Sequence, residues 1–448
     1  MTIETYKKII EHIKQLIKGS KFEGHVYSVG GCERDKHLGL KEIKDIDLTI
    51  DLEHGGIDFA NWLFDNGFTS SKVVIYENFG TAMFRLKDFP NEEIESVFTR
   101  KEIYRDKNSR NPETSFGTIK DDCIRRDFTI NALYHNISLD EDLDLTGKGI
   151  EDLHNGIIRT CDNPNIIFSD DSLRIMRAAR FSAKLGFIID NDVLEAMKRN
   201  IERLKIISQE RITDEFNKIL TSKRPHLGLM YLDGIKFFDI ITPYLFTTEK
   251  GKIDAFNAIY EFHDNEKYKL ETALAVFLKS WYSGDSNRNL FLKNFKYSND
   301  MIKIVNLYSS ESWHVELACA LNLPNKVREI IHKCATVEDF ENIVAIAKAT
   351  RNIGPRSDGR EIFDVLNDID VPEMIGYKLP VNGDDIMETL QIGPSPLIKN
   401  VFDVLIEEAY NNPKITKEEC IAIIEEFKPS TEFIDTTKLT GNSLTLKK

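Results

Sequence analysis

The stretch KEIKDIDLTIDLE, residues 41–53, alternates apolar side chains with the aspartates Asp45, Asp47 and Asp51. The alternation predicts a β-strand, although aspartate is depleted in strands, and such an open departure from the rule indicates a functional site. Side chains two residues apart on a strand face the same way, so Asp45 and Asp47 project side by side with α-carbons roughly 6.6 Å apart. Asp51 lies about 13 Å beyond Asp47 on an extended strand and is left out of the site.

Two carboxylates at this spacing suit a pair of divalent cations ~3.5–4 Å apart. Mg²⁺ is the natural ion, because it is held by a few carboxylates together with waters and substrate phosphates. A third carboxylate has to come from a neighbouring strand, and Glu95 in EIESVFTR (residues 93–100) is the best candidate. Taken alone, the Asp-x-Asp pattern is equally typical of an exposed polar strand face.

The glycine pair in YSVGGCERD, residues 27–35, lies between a predicted strand and a predicted helix. Gly30 and Gly31 let the backbone approach a ligand closely, and the free N–H groups at the start of a helix bind phosphate. Arg34 adds charge-assisted hydrogen bonds. A plain tight turn explains the glycines alone, but together with the arginine and the aspartates they favour a site for a nucleoside triphosphate and metal ions.

A second polar cluster lies in DDCIRRDFTINAL, residues 121–133. The functional interpretation gives Arg126 to phosphate or sugar and Asp127 to the ribose 2′-OH, the group that distinguishes RNA from DNA substrates. Asn131, one helical turn beyond Asp127, shares that role. The alternative is a salt-bridged start of a helix.

The segment SDDSLRIMRAARFSAKLGF, residues 169–187, predicts a helix that begins at Ser169. One side of it carries four charged residues at intervals of three: Asp171, Arg174, Arg177 and Arg180. A carboxylate accepts a hydrogen bond from an exocyclic amino group, and a guanidinium donates to a ring acceptor. An Asp171–Arg174 pair therefore admits CTP and ATP and rejects UTP and GTP. The alternative is that acids early and bases late merely match the helix dipole.

The whole chain has the composition of an ordinary globular protein, with 41% hydrophobic and 29% charged residues among 448. No run of ~18 apolar residues appears, and the amphipathic N-terminus carries Glu4 and Glu11, so we expect no membrane contact and a cytoplasmic location. The six cysteines form no CxxC pair, which argues against a zinc ribbon or a disulfide scaffold. A net charge of −14 disfavours non-specific nucleic-acid binding but allows a local basic groove.

Short β-like runs with one helix between them fill the first 140 residues, and helical spacing dominates from about residue 168. This order predicts an α+β head followed by a long all-α body. The last residues, 431–448, show no periodicity and are predicted to be a loose tail.

Seven pieces of the chain, spanning residues 26–220, resemble the class II tRNA nucleotidyltransferase and bacterial poly(A) polymerase family: GGCERD, DIDLTID, FTRKEIY, RRDFTINAL, GIIRT, DDSLRIMRAARFSAKLGF and QERITDEFNKIL. The resemblance implies a polymerase-β-like nucleotidyltransferase head, a mixed sheet with helices, and then a helical neck, body and tail. The bounds expected for these parts are 1–140 for the head, 141–220 for the neck, 221–310 for the body and 311–430 for a tRNA-binding tail.

The resemblance also implies a role for each motif residue. Two metals are expected on Asp45 and Asp47, and the base is expected to pair with the helix of Asp171 and Arg174, with Arg177 and Arg180 on the same helix. The nucleotide is expected to contact Gly31, Arg34 and Arg126, with Asp127 near the sugar. Glu210 is expected to stabilise the turn beside the template helix.

The implied reaction is addition of CCA to the 3′ end of tRNA from CTP and ATP with release of pyrophosphate. Poly(A) polymerase, partial addition of only CC or only A, and a catalytically inactive RNA-binding protein are the alternatives, and the loop before the RRD motif bears on the choice. His263 and Asp264 form the chain's one HD dipeptide, without further metal-site partners, so no phosphohydrolase activity is expected. The sequence leaves the oligomeric state open.

Overall fold

A computed structural model describes residues 1–103, 113–243, 245, 247–262, 269–281, 285–351 and 361–427. The chain divides into two compact units, Met1–Asn306 and Leu307–Lys448. The His263–Asp264 dipeptide and the predicted loose tail lie outside the described residues. Within the described residues, no helix combines the length and the apolar character needed to cross a membrane.

The strands of the first unit form one large sheet and two small ones. They are β1 (Val26–Val29), β2 (Ile46–Ile50), β3 (Val74–Tyr76), β4 (Thr81–Phe84), β5 (Ile94–Phe98), β6 (Arg100–Ile103), β7 (Glu113–Phe116), β8 (Leu133–Asn136), β9 (Glu141–Asp144), β10 (Ile157–Ile158) and β11 (Ile188–Ile189). The large sheet has seven strands in the order β3-β4-β5-β2-β1-β8-β9. Only the β2–β5 pair in it is parallel, so the predicted mixed sheet is confirmed.

Twenty-one α-helices accompany these strands in the described residues. They are α1 (Ile3–Ile17), α2 (Gly31–His37), α3 (Gly55–Asp65), α4 (Ile119–Ile124), α5 (Gly149–Asn155), α6 (Pro164–Asp170), α7 (Leu173–Leu185), α8 (Asn191–Asn200), α9 (Gln209–Leu220), α10 (Pro225–Gly234), α11 (Phe237–Ile241), α12 (Glu249–Phe262), α13 (Leu270–Trp281), α14 (Asp285–Asn294), α15 (Asn299–Ala320), α16 (Pro324–His332), α17 (Val337–Ala349), α18 (Val371–Met374), α19 (Gly383–Leu390), α20 (Leu397–Asn411) and α21 (Lys417–Glu425). Helices dominate after residue 145, as the apolar spacing predicted.

Helices α1 and α3 cover one face of the large sheet and form its core. Helix α1 begins after Thr2, whose side chain accepts from the backbone N–H of Thr5, and it buries Ile9 and Ile13 one turn apart. Phe59 of α3 packs edge-to-face on Phe84 of the sheet, with ring centroids 5.9 Å apart. This packing fixes the sheet from one side and leaves the carboxylate-bearing side of β2 and β5 facing away from the core.

The structure differs from the sequence-based predictions at three elements. The helix expected to begin at Ser169 is two helices, because Asp171 adopts an extended conformation between α6 and α7, and its side chain accepts from the backbone N–H of Leu173 at 3.0 Å. Strand β9 was not predicted, since its sequence, EDLD, contains residues that strands disfavour. Part of the expected loop before the RRD motif, Glu113–Phe116, is strand β7, which pairs with β6.

The second unit has a core of its own. It is built on α19, α20 and α21 from these buried residues: Val381, Ile386, Leu390, Val401, Leu405, Ala409, Ile415, Cys420 and Ile424. Capping boxes begin α19 at Asn382 and α21 at Thr416, where side chain and backbone bond reciprocally.

Candidate active site

Two of the three predicted carboxylates lie directly opposite each other at the centre of the head sheet. Asp47 on β2 pairs in register with Glu95 on the parallel strand β5. Asp45 is exposed and precedes β2, which begins at Ile46, so the expectation that Asp45 lies within the strand was wrong. Asp51 follows the strand and accepts from the Thr99 hydroxyl at 3.0 Å, away from the pair.

The three carboxylates interact electrostatically. Burial and the charge of Glu95 raise the pKa of Asp47 to about 6, with Asp45 adding to the rise and Arg126 opposing it. Burial also raises the pKa of Glu95, against the pull of Arg100. Mutual repulsion of this kind disfavours the ionised forms until a cation is bound between them. Oxygen donors grouped in this way fit Mg²⁺.

The glycine turn after β1 lies against this group. Gly30 has φ +86°, and a Cβ there would lie 3.4 Å from Oδ2 of Asp47 and 3.8 Å from Nη1 of Arg126. Glycine therefore meets two requirements at this position. It can adopt a positive φ that other residues rarely adopt, and it leaves space beside the Asp47 carboxylate. Helix α2 begins at Gly31, so the free N–H groups of its first turn follow this turn directly.

Arg126 is held by a buried acidic group that the sequence did not identify. Its guanidinium donates to Oδ2 of Asp122 at 3.1 Å and to the Tyr134 hydroxyl at 2.9 Å. Burial opposes the charge of Asp122, but Arg126 and Arg125 outweigh burial and lower its pKa to about 2. The Asp122 charge thereby orients Arg126, whose Nη1 atom lies on the side of Gly30.

A chain of hydrogen bonds links the predicted sugar-binding residues to the following helix. Asp127 accepts from Asn131 at 3.1 Å and from Nε of Arg177 at 2.8 Å, while Asn131 accepts from Arg34 at 2.6 Å. Burial works against the charge of Asp127, yet Arg177 and Asn131 lower its pKa to about 2. Arg34 is only 3% exposed and is also paired with Asp35. Its guanidinium therefore belongs to this hydrogen-bonded network and does not face the open site.

The residues around Asp127 are not one helix, as the interpretation of Asn131 assumed. Helix α4 ends at Ile124, and a separate 3₁₀ turn, Thr129–Asn131, carries Asn131 back to Asp127. The contact between Asp127 and Asn131 was therefore predicted correctly, but the helix expected to carry both residues was wrong. The two side chains meet because the backbone turns back between them.

Helix α7 and Asp171, which precedes it, bring the four predicted base-recognition residues to the edge of this cluster. Arg174 donates to the backbone carbonyl of Arg125 at 2.7 Å, and Arg180 donates to Glu215 at 2.7 Å. The Asp171 carboxylate lies 3.5 Å from Arg211. Three guanidinium groups lie over the buried ring of Phe181: those of Arg34, Arg177 and Arg180.

Glu215, not Glu210, is the acidic residue of α9 that supports α7. Glu210 is exposed and lies 3.6 Å from Lys296, so the role expected for it was wrong. At 3.6 residues per turn the two glutamates point roughly 140° apart. The signal was present in the sequence, because Glu215 falls within the apolar face of α9 beside Ile212, Phe216 and Ile219, where an unpaired charge would be costly.

Two family models match parts of the first 247 residues of the chain. A family described as "Poly A polymerase head domain" matches residues 26–159, and one described as "Probable RNA and SrmB- binding site of polymerase A" matches residues 186–247. The CCA-adding enzyme of Limosilactobacillus reuteri is 31% identical over 307 residues, which are 67% of this chain and 71% of that enzyme. Related yeast enzymes include some whose names place them in mitochondria.

Two solved structures share the fold. The Thermotoga maritima CCA-adding enzyme complexed with tRNA has a TM-score of 0.67 at 20% identity, covering 95% of this chain and 96% of that one. The Bacillus stearothermophilus CCA-adding enzyme in complex with CTP has a TM-score of 0.67 at 22% identity, covering 94% and 97%. The fold is therefore shared with these enzymes over 94–95% of this chain.

Proposed function

Because this chain belongs to the family of CCA-adding enzymes and poly(A) polymerases, we propose that it adds CCA to the 3′ end of tRNA from CTP and ATP. The observation that carries the proposal is the grouping of Asp45, Asp47 and Glu95 beside the Gly30 turn and Arg126. Carboxylates for metal ions and donors for phosphate occur there on one face. Intact carboxylates disfavour an inactive RNA-binding protein.

The residues divide the reaction between them. Asp45, Asp47 and Glu95 would hold two Mg²⁺ ions, which when bound activate the RNA 3′-hydroxyl and neutralise the leaving pyrophosphate. The Gly30–Gly31 turn and the start of α2 offer N–H groups to the phosphates, and Arg126 offers a guanidinium edge already oriented by Asp122. Positioning the triphosphate in this way favours in-line displacement at the α-phosphorus.

Base choice is assigned to Asp171 and to Arg174 at the start of α7. Asp171 accepts from the exocyclic amino group that cytosine and adenine share, and Arg174 donates to the adjacent ring acceptor. Arg174 has to exchange its bond to the Arg125 carbonyl for the base. Arg177 and Arg180 are already paired with Asp127 and Glu215, so they position the helix and the sugar-binding carboxylate.

The parts of the chain keep their proposed roles: head 1–140, neck 141–220, body 221–310 and tail 311–430. The RNA-binding family match to residues 186–247 supports RNA contact by the end of the neck and the start of the body. We also propose the cytoplasm as the site of action.

Primer extension tests the proposal. A tRNA transcript that lacks its last three nucleotides is incubated with Mg²⁺ and with CTP, ATP or both. Two additions with CTP alone and a third once ATP is present are expected. A long ladder with ATP alone would assign poly(A) polymerase activity instead, and arrest after CC or after A would assign a partial enzyme. Asp45→Ala should lose addition and retain tRNA binding, which separates catalysis from binding.

A further inference from the structure

The face of the head sheet that carries the carboxylates continues beyond them. Cross-strand partners point to the same side of a sheet, and Asp47 is opposite Glu95, Glu95 opposite Met83 and Met83 opposite Val74. A second row on this face, two residues along, contains Val97, Thr81 and Tyr76. The carboxylates therefore share one continuous surface with strands β3, β4 and β5.

This extension is open and apolar. On the opposite face Ala82, Phe84 and Ile94 are buried in the core. On the open face Val74 is 51% exposed and Tyr76 is 45% exposed, and Phe79 in the turn that follows β3 is 66% exposed. Aromatic side chains grouped on an exposed surface indicate a binding site more often than single ones do.

A cavity of about 330 Å³ lies on this surface. Its lining contains two aromatic residues, a candidate catalytic carboxylate and a cation: Tyr76, Phe79, Thr81, Met83, Glu95, Val97 and Arg100. The Arg100 side chain is 26% exposed and lies 3.1 Å from Glu102. Aromatic rings beside a guanidinium are the combination that binds single-stranded nucleic acid, by stacking and by phosphate contact.

The chemistry of the site indicates which of the two substrates approaches from the side of the cavity. Gly30 and Arg126 lie on the β1 and β8 side of Asp47, whereas the cavity lies on the β5 side. In-line displacement needs the attacking hydroxyl and the leaving pyrophosphate on opposite sides of the α-phosphorus. With the phosphates at Gly30, the RNA 3′-hydroxyl approaches past Glu95.

We propose that this surface, the acceptor platform formed by Tyr76, Phe79, Met83 and Arg100 beside Glu95, binds the 3′-terminal nucleotides of the RNA. Phe79 and Tyr76 stack on the last bases, and Arg100 contacts the phosphate between them. The proposal rests on the nucleotidyltransferase function and adds the position of its second substrate.

Steady-state kinetics with a fluorescent tRNA test the platform. The transcript ends at the nucleotide before CCA, and that nucleotide is 2-aminopurine, whose fluorescence falls when it stacks on a ring. Phe79→Ala should raise the KM for this transcript by about fivefold to a hundredfold, the range for loss of one stacked base. It should also abolish the quench and leave the KM for CTP within about twofold, while Phe79→Trp should retain both properties.

Phe64→Ala is the matched control, because Phe64 is 41% exposed but belongs to α3, which packs on the other face. It should behave as the unmodified protein does. If Phe79→Ala combined with Tyr76→Ala changes neither KM nor quench, the platform is overturned. A changed oligomeric state with an unchanged KM would assign the surface to a second copy of the chain and also overturn it. An unmodified protein that quenches but adds no nucleotide would overturn the function and leave the platform standing.

Discussion

At Asp47, burial and the neighbouring carboxylates oppose the negative charge that a metal ligand needs. Its pKa is raised from 3.8 to about 6, so the folded protein binds the proton more tightly than the unfolded chain does. The unfolded chain releases that proton near pH 4 and the folded one near pH 6, so the free energy of unfolding falls as pH rises between these values and the cost persists above pH 6. Ionised Asp47 lowers the free energy of unfolding of the metal-free protein. A cation bound to this carboxylate would offset that loss and so explains why an aspartate occupies the position.

Asp47→Asn should therefore abolish nucleotide addition and stabilise the metal-free protein. We expect at least a thousandfold loss of kcat, since several kcal/mol of metal-assisted stabilisation is lost. In EDTA at pH 7, the free energy of unfolding should rise by up to about 3 kcal/mol, at about 1.4 kcal/mol per pKa unit. Urea unfolding and primer extension measure the two effects. Asp51→Asn is the control and should change neither, and a destabilised Asp47→Asn would contradict the electrostatic account.

The same titration predicts the pH dependence of metal activation. Protons compete with Mg²⁺ for the carboxylate of Asp47, so the Mg²⁺ concentration for half-maximal activity should rise steeply below pH 6 and level off above pH 7. Activity titrations with Mg²⁺ at pH 5.5, 6, 7 and 8 measure this. A half-maximal concentration that is constant across the series would mean that Asp47 does not hold the ion.

Asp171 predicts nucleotide choice through the type of hydrogen-bonding atom it offers. Its carboxylate only accepts, whereas the amide of Asp171→Asn also donates and so matches the carbonyl that uracil presents. The variant should lower kcat/KM for CTP about tenfold or more and raise the ratio of UTP to CTP incorporation. The amide oxygen can still accept from Leu173, so the start of α7 is preserved. An unchanged ratio would remove Asp171 from base recognition.

At the scale of elements, one buried pair holds α9 against α7. Glu215→Ala leaves the largely buried Arg180 without its carboxylate, and we expect a loss of about 3–5 kcal/mol in the free energy of unfolding. Glu210→Ala, five residues earlier on the same helix, removes an exposed contact and should leave the free energy of unfolding almost unchanged. Thermal and urea unfolding compare the two. Equal effects would mean that helix propensity, rather than the ion pair, sets the loss.

Predictability also differs between elements. The strand of Asp47 and its neighbour with Glu95 could be placed from period and residue type, because apolar alternation determines which face is buried. Their parallel register could not, since it depends on how distant strands pair. The break between α6 and α7 was missed because Asp171 at a helix start competes for backbone N–H groups, and the sequence does not show which turn it caps.

Most individual residues of the site could be predicted from the sequence, but the hydrogen bonds and ion pairs between them could not. Asp127 and Asn131 were identified together, yet Arg34 reaches them only because the 3₁₀ turn Thr129–Asn131 and β8 return the polypeptide beside α2. Asp122 and Phe181 were missed because buried partners of arginine look like ordinary capping acids and core aromatics in a sequence. Supporting groups of this kind become visible only when the three-dimensional contacts are known.

At the scale of the whole molecule, the charge of the protein opposes its proposed substrate. The chain carries 73 acidic and 59 basic residues. Arg126, Arg177 and Arg180 are paired internally with Asp122, Asp127 and Glu215. The net charge of −14 limits the number of phosphate contacts, so we expect tRNA to be held by a narrow basic stripe on the neck, body and tail and recognised mainly by shape.

This balance predicts a moderate salt dependence of tRNA binding. If about three to five phosphates are neutralised, the affinity should fall about fortyfold to five-hundredfold from 50 to 200 mM salt, less than the 10³–10⁵ of proteins with six to ten contacts. Filter binding or fluorescence anisotropy at constant Mg²⁺ measures the slope. A steeper slope would mean that an extended basic surface overrides the net charge of −14. No dependence at all would mean that the RNA is held by stacking and hydrogen bonds alone, which would place most of the binding free energy on surfaces such as the acceptor platform.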